Sequence, residues 1–233
     1  MSMTYLETFL FVVFPYAALA VCAIESVRRY HAQPFTYSSL SSQFLENQYH
    51  FWGIVPFHFG LMVVLTGHLA AFFLPRTLLL WNSVPARLYL LEATGFVFAL
   101  LALIGLTNLI VRRVTEPSMR VVTTTMDWVV LALLAAQIAL GCYVALFRPW
   151  GSSWFAASLT PYLWSILKLS PEPAYVAALP LMVKLHIVGA FSLAALLPFT
   201  RLVHLLVMPL PYLWRRPQVV RWTGPRRIQG ASL

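Results

Sequence analysis

Six histidines occur among the 233 residues, and four of them fall where a histidine is hardest to keep. His58 and His68 bracket the apolar run FHFGLMVVLTGH, and His186 and His204 sit in a second, VKLHIVGAFSLAALLPFTRLVHLLV. An imidazole without a partner in hydrocarbon costs on the order of several kcal/mol. An ionisable side chain inside a membrane marks function by default. One such histidine is readily explained by a local hydrogen bond; four, divided two and two between two segments, are not. Neutral imidazole nitrogens facing each other across a gap are the axial ligands of a low-spin b-type haem. Zinc or copper transport would instead ask for carboxylates or sulfur beside the imidazoles. Glu92 and Asp127 are the only acids well within the apolar runs, neither is close in sequence to a histidine, and both read as packing or capping groups. His31 and His50 fall in or beside a polar loop and read as solvated.

The elements that must carry these residues are transmembrane helices. Only 10% of the residues are charged, against about a quarter in a soluble domain. Five apolar segments can be read, at 5–26, 51–74, 88–111, 121–146 and 179–209, each near the ~20 residues that cross a bilayer. The fold class is therefore an all-α integral membrane protein with five transmembrane helices, one domain over 1–233, in which 210–233 is a basic tail. The first segment contains Glu7 and no lysine or arginine, so it reads as a span and not as a cleaved signal. The long stretch RPWGSSWFAASLTPYLWSILKLSPEPAY before the last span is expected to lie along the interface with one short amphipathic helix. The net charge of +9 is spread through loops, which argues against nucleic acid as a partner. Cys22 and Cys142 form no C-x-x-C or C-x-x-C-H motif, which excludes zinc ribbons and covalently attached haem; both read as small core residues.

Lysine and arginine placement sets the orientation. With the N-terminus outside, Arg28, Arg29, Arg112, Arg113, Arg120 and the five tail arginines lie on the cytoplasmic side, against Arg76, Arg87, Arg148 and Lys168 outside. The C-terminus is then cytoplasmic. The second span runs outward and the fifth inward, so His58 pairs with His204 near the cytoplasm and His68 with His186 near the outer face. Two stacked pairs make a di-haem b bundle. The helical arithmetic is imperfect: eighteen residues put His186 and His204 on one face, but ten leave His58 and His68 about 80° apart. Helix tilt and a bend at Pro198 must absorb the difference. Gly60, Gly67 and Gly189 lie within three positions of a histidine. They either let a flat macrocycle approach the backbone or serve as small residues between helices. Arg201 is three residues before His204, placed either to neutralise a haem propionate or to snorkel towards the headgroups.

These segments, together with RRYHAQPFTYSSLSSQFLE and VRRVTEPSMRVVTTTMDW, resemble the gamma subunit of respiratory nitrate reductases, the membrane cytochrome b component. The resemblance covers almost the entire chain, and its F-H-x-G…G-H and L-H-x-x-x-G…P-F-x-R-L-V-H motifs are specific. It implies two b haems, the inner on His58 and His204 and the outer on His68 and His186. It implies oxidation of menaquinol or ubiquinol near the outer haem, at a site expected to include Gly67, His68 and Arg87. Electrons would pass inward to a cytoplasmic iron–sulfur (beta) subunit and a molybdenum-containing catalytic (alpha) subunit, which this chain anchors to a prokaryotic inner membrane. Nitrate chemistry would belong to that partner. Family members carry a lysine in the outer loop before the third span; here SVPARLYLLEATG offers Arg87, which holds its proton and presents a planar fork. The histidines alone do not distinguish a nitrate reductase from a sulfite- or chlorate-type relative or a nitrite oxidase running in reverse. A haem-free histidine-based transporter and a purely structural anchor are the readings from other classes. The basic cytoplasmic segments RRYHAQPFTYSSLSSQF, RRVTEPSMR and the tail are expected either to dock partners or to bind anionic lipid.

Overall fold

The computed structural model describes residues 5–33, 36 and 50–206, and every regular element among them is helical. In chain order these are α1 (Tyr5–Ala32), α2 (His50–Phe73), α3 (Pro75–Asn82), α4 (Pro85–Thr115), α5 (Pro117–Val121), α6 (Thr125–Phe147), α7 (residues 151–167), α8 (Ala174–Ala177) and α9 (Leu181–Leu196). Two 3-10 stretches, Leu197–Phe199 and Arg201–Leu206, follow α9. Helices α1, α2, α4, α6 and α9 with its first 3-10 turn are long and apolar enough to cross a membrane, giving the five expected spans. Most of the loop between α1 and α2, and the tail 210–233, lie outside the described residues. Helices α1 and α4 run several residues beyond the apolar stretches that announce them, because backbone hydrogen bonding continues past the hydrocarbon edge. Arg28, Arg29, Arg112 and Arg113 are thereby carried on helix and not on loop.

The extensive helix contacts run α2–α4–α6–α9–α1, and the two histidine helices α2 and α9 are not among the joined neighbours. The α2–α4 contact is backbone on backbone. A Cβ placed on Gly60 would stand 2.5 Å from the Phe98 carbonyl oxygen and 2.7 Å from the Ala102 nitrogen, and one on Gly105 would stand 2.8 Å from Phe57 Cα. Small residues allow such close approach where lipid supplies no hydrophobic drive between helices. Gly60 is thus a helix-packing residue, and the space beside it belongs to α4. Two cores result instead of one. Phe57, Ala102, Leu106, Val130, Leu134, Ile138 and Cys142 join α2, α4 and α6, with Cys142 in the packed role expected of it. Phe11, Tyr162, Ile166, Val183, Ile187 and Phe191 join α1, α7 and α9.

Prolines inside spans free carbonyls that water cannot reach, and neighbouring side chains must answer them. Pro15 has no N–H for the carbonyl of Phe11; the helix widens into a π turn over Phe9–Val13, and the Tyr162 hydroxyl donates to that oxygen at 2.8 Å. Pro56 likewise frees the Trp52 carbonyl, which Asn108 Nδ2 approaches at 3.4 Å. At the end of α2, Thr160 Oγ1 donates to Ala71 O at 3.1 Å and Trp164 Nε1 to Phe72 O at 3.3 Å. These donors come from α7, a helix within the stretch expected to lie along the interface. Its Tyr162 is wholly buried, and the helix is wedged between α1, α2 and α9 because it caps carbonyls on the first two.

Substituting Gly105→Ala should lower the thermal unfolding midpoint in detergent, by about 1–3 kcal/mol of stability, since its Cβ meets backbone. Gly95→Ala, where nothing lies within 4 Å, should leave the midpoint unchanged or raise it slightly. Equal midpoints for the two variants would contradict the α2–α4 packing.

Candidate functional site

His58 and His68 share the uninterrupted helix α2, whereas His186 and His204 do not share one helix. Pro198 ends the α-helical pattern, Thr200 is extended (φ −125°, ψ 179°), and His204 rides on the 3-10 stretch that follows. The expectation that eighteen residues place these two on one face therefore gives way to a break that re-aims His204. The break is held from three sides. Arg29 of α1 donates through Nη1 to the carbonyls of Pro198 (2.6 Å) and Thr200 (2.9 Å). Thr200 Oγ1 accepts from the Leu202 N–H at 3.2 Å, starting the new turn. Arg201 then binds Asp127 Oδ1 through Nε at 2.9 Å and donates from Nη2 to Val122 O at 2.8 Å.

Asp127 has two duties. With Thr124 it closes a capping box at the start of α6, the capping role read from the sequence, while its other oxygen draws in Arg201. Arg113 stands 3.9 Å from the same carboxylate and donates to Thr123 Oγ1. Arg112 is buried and Arg120 is bonded to the Val114 carbonyl, so much of the positive charge in RRVTEPSMR is turned to the protein. Asp127 also gives Arg201, expected either to neutralise a propionate or to snorkel towards the headgroups, a protein partner.

The inner pair meets. The rings of His58 and His204 have centroids 6.2 Å apart and planes inclined by 55°. His58 Nδ1 lies 2.9 Å from the carbonyl oxygen of Ile54, and His204 Nδ1 lies 2.5 Å from that of Arg201. An Nδ1–H donating to a carbonyl fixes the tautomer and leaves the lone pair on Nε2. Among the described residues, neither Nε2 has a hydrogen-bond partner. Imidazole nitrogens sit about 2 Å from a metal they ligate, so two rings on opposite sides of one ion have centroids roughly 6 Å apart. The inner pair fits that separation.

The outer pair is arranged differently. His68 Nδ1 is 2.8 Å from Val64 O, and its ring meets Phe155 of α7 edge-on at 5.3 Å. Residues 65–70 are all exposed, more than a full turn of α2 uncovered on every side, and nothing stands within 4 Å of a Cβ on Gly67. This is the opening a flat group needs. His186 turns instead to α6, where Gln137 Nε2 donates to its carbonyl at 3.0 Å and Gly141 leaves room for its ring. Gly189 is occupied by Gln137 and not by open space. Arg87 stacks over Trp81 at 5.3 Å, and Trp81 Nε1 donates to its carbonyl. Among the described residues Arg87 meets Trp81 while His68 meets Val64 and Phe155, so the expected quinol-site residues are not gathered by direct contact.

Other ionisable residues of the spans are satisfied locally. Glu92 accepts from the Trp150 and Ser152 N–H groups, both at 3.2 Å, capping the start of α7. Lys184 pairs with Glu7 at 2.7 Å and donates to Ala177 O, tying α9 to α1. Among the described residues, no three His, Cys, Asp or Glu side chains gather into a metal shell. Arg29 and the Asp127–Arg201 pair were not apparent from the sequence, although Pro198 marked the place where such a brace was needed.

A five-span helical membrane protein with three imidazoles in two of its spans and a fourth on the 3-10 stretch just beyond the last is the class that fold and site define. The chain belongs to the nitrate reductase gamma subunit family, whose model matches residues 7–223. It is 30% identical over 225 residues to the respiratory nitrate reductase 1 gamma chain of Escherichia coli (strain K12), covering 94% of this chain and 99% of that one. It is 29% identical over 213 residues to the nitrate reductase gamma chain of Bacillus subtilis (strain 168), covering 90% and 95%. A similar match, 30% over 234 residues, covers 92% of this chain but 35% of the longer nitrate reductase-like protein NarX of Mycobacterium tuberculosis (strain ATCC 25618 / H37Rv).

Asp127→Asn should lower the thermal midpoint, by about 1–3 kcal/mol of stability, because it removes the buried carboxylate charge that Arg201 binds. Arg28→Ala, which removes only the pair between an exposed guanidinium and half-buried Glu25 one turn away, should leave the midpoint nearly unchanged. A midpoint for Asp127→Asn equal to the unsubstituted protein would contradict the bracing role.

Proposed function

We propose that this chain is the quinol-oxidising, di-haem cytochrome b subunit of a bacterial nitrate reductase, anchoring the complex to the inner membrane. The observation that carries the reading is the inner pair: two rings at 6.2 Å, each with Nδ1 committed to a carbonyl and Nε2 left free. His58 and His204 would hold the inner haem, and His68 and His186 the outer. Haem supplies one-electron redox chemistry at a potential set by its axial ligands and their hydrogen bonds.

The chain's own residues do the rest. The Nδ1 hydrogen bonds of His58, His68 and His204 raise the basicity of the ligating nitrogens and hold the rings in place. The uncovered turn around Gly67 and His68 gives quinol access from the lipid, and Arg87 places a cation on the same outer side. Arg201 keeps positive charge beside the inner pair, available to a propionate only in company with Asp127. With the N-terminus outside, quinol protons leave on the outer side while electrons travel inward. Each charge moved against 100 mV stores about 2.3 kcal/mol. The electrons are handed on the cytoplasmic side to an iron–sulfur (beta) subunit and a molybdenum (alpha) subunit, in keeping with the relatives named as gamma chains of nitrate reductases.

The test is quinol-driven reduction in the purified complex, comparing the natural chain with His68→Ala and His204→Ala. Each variant should retain one b haem of the two, with a different α-band lost in each. Reduction by a quinol analogue should fall at least tenfold in His68→Ala. Full haem content and undiminished reduction in both variants would overturn the assignment.

A further inference from the structure

His58, His68 and His186 sit on regular α-helix, whereas His204 sits on a 3-10 stretch just beyond a break. Hydrogen-bond geometry is poorer in a 3-10 segment than in an α-helix, so whatever braces this one decides where its imidazole points. Its first turn opens on the Thr200 carbonyl, which accepts the Val203 N–H at a long 3.4 Å. The next residue is His204, whose Nδ1 lies 2.5 Å from the Arg201 carbonyl oxygen. Backbone bonding alone holds this turn weakly.

Arg29 supplies what the turn lacks. From the last turn of α1 its Nη1 donates to the carbonyls of Pro198 at 2.6 Å and Thr200 at 2.9 Å, on either side of Phe199. The other two nitrogens are engaged as well. Nη2 donates to Thr36 O at 2.7 Å, and Nε donates to Thr36 Oγ1 at 3.2 Å. Thr36 is itself tied to the end of α1, its N–H and its hydroxyl donating to Gln33 O at 3.0 and 2.9 Å. The planar fork is therefore held on one edge by the segment leaving α1 while the other edge grips the break. Pro198 and Thr200 are both buried, where water is a poor substitute for a lost donor.

We infer that Arg29 is a positioning residue for His204: it fixes the turn on which the ring stands, with Thr36 holding the fork in register, and so sets the orientation of the second ligand of the inner haem. The inference rests on the haem reading above. His58 needs no such brace, because α2 is uninterrupted around it. The 55° between the two ring planes is then a property of the end of α1 as much as of the segment that bears His204. Lysine would keep the charge, but its ammonium on a flexible stem does not reproduce a rigid fork that serves Pro198, Thr200 and Thr36 together.

The experiment is electron paramagnetic resonance of the oxidised complex, with pyridine haemochrome quantification, on the natural chain, Arg29→Lys and Thr36→Val. The inner-haem signal is the one lost in His204→Ala. The largest g value of a low-spin haem with two imidazole ligands follows the angle between the ligand planes, so it reads ring orientation directly. In Arg29→Lys the inner signal should shift, or give way to a high-spin signal where His204 leaves the iron, while the outer signal keeps its position. Thr36→Val loosens the fork without touching its charge and should move the inner signal by a smaller amount. An inner signal at its natural position in either variant with both haems bound, or equal movement of both signals, would overturn the role of Arg29 while leaving the haem reading intact. Absence of haem from the natural chain would overturn the haem reading itself. Should Arg29→Lys fail to assemble, Thr36→Val alone decides, with a shift confined to the inner signal for the role and anything else against it.

Discussion

Within hydrocarbon, every polar group that water would satisfy must be satisfied by the protein, and that constraint organises this molecule. The carbonyls released by Pro15 and Pro56 and those at the end of α2 each find a side-chain donor on a neighbouring helix. Those donors decide where helices dock. Tyr162 and Thr160 pin α7 against α1 and α2, and Arg29 joins α1 to the break after α9. The imidazoles obey the same rule only by half. His58, His68 and His204 settle one nitrogen on a backbone carbonyl, and among the described residues the other has no hydrogen-bond partner.

Splitting the interior into two cores is the packing counterpart of that unfinished account. Helices α2, α4 and α6 form one core with backbones in near contact, and α1, α7 and α9 form the other. The buried core residues of the two histidine helices belong to different cores, while Leu193 of α9 packs against the first as well. Asp127 links the two near the inner pair, capping α6 while holding Arg201 of the segment that bears His204. Gln137 links them near the outer pair, reaching from α6 to α9.

The architecture was legible in the sequence to the extent that apolar length and histidine placement could speak. All five spans are present, and His58 does meet His204. Glu92 and Asp127 are the capping groups they resembled. What was not legible depended on partners distant in sequence. The aromatic composition of 151–167 suggested an interface but did not announce that Tyr162, Thr160 and Trp164 answer carbonyls on α1 and α2. Gly60 lies beside His58 in sequence yet faces Ala102 across a helix contact. Pro198 announced a bend without saying that Arg29 and Asp127 would hold it. Gln137 could have been noticed as a lone amide in an otherwise apolar stretch, but its bond to the His186 carbonyl depends on a helix distant in sequence.

The central claim is that the free imidazole nitrogens are iron ligands, and cofactor stoichiometry tests it most directly. Pyridine haemochrome quantification against protein mass, on the purified natural chain, should give two b-type haems per chain. Their reduced-minus-oxidised spectra should be those of low-spin centres. A chain that folds and assembles with no haem, or with one haem only, would contradict the account.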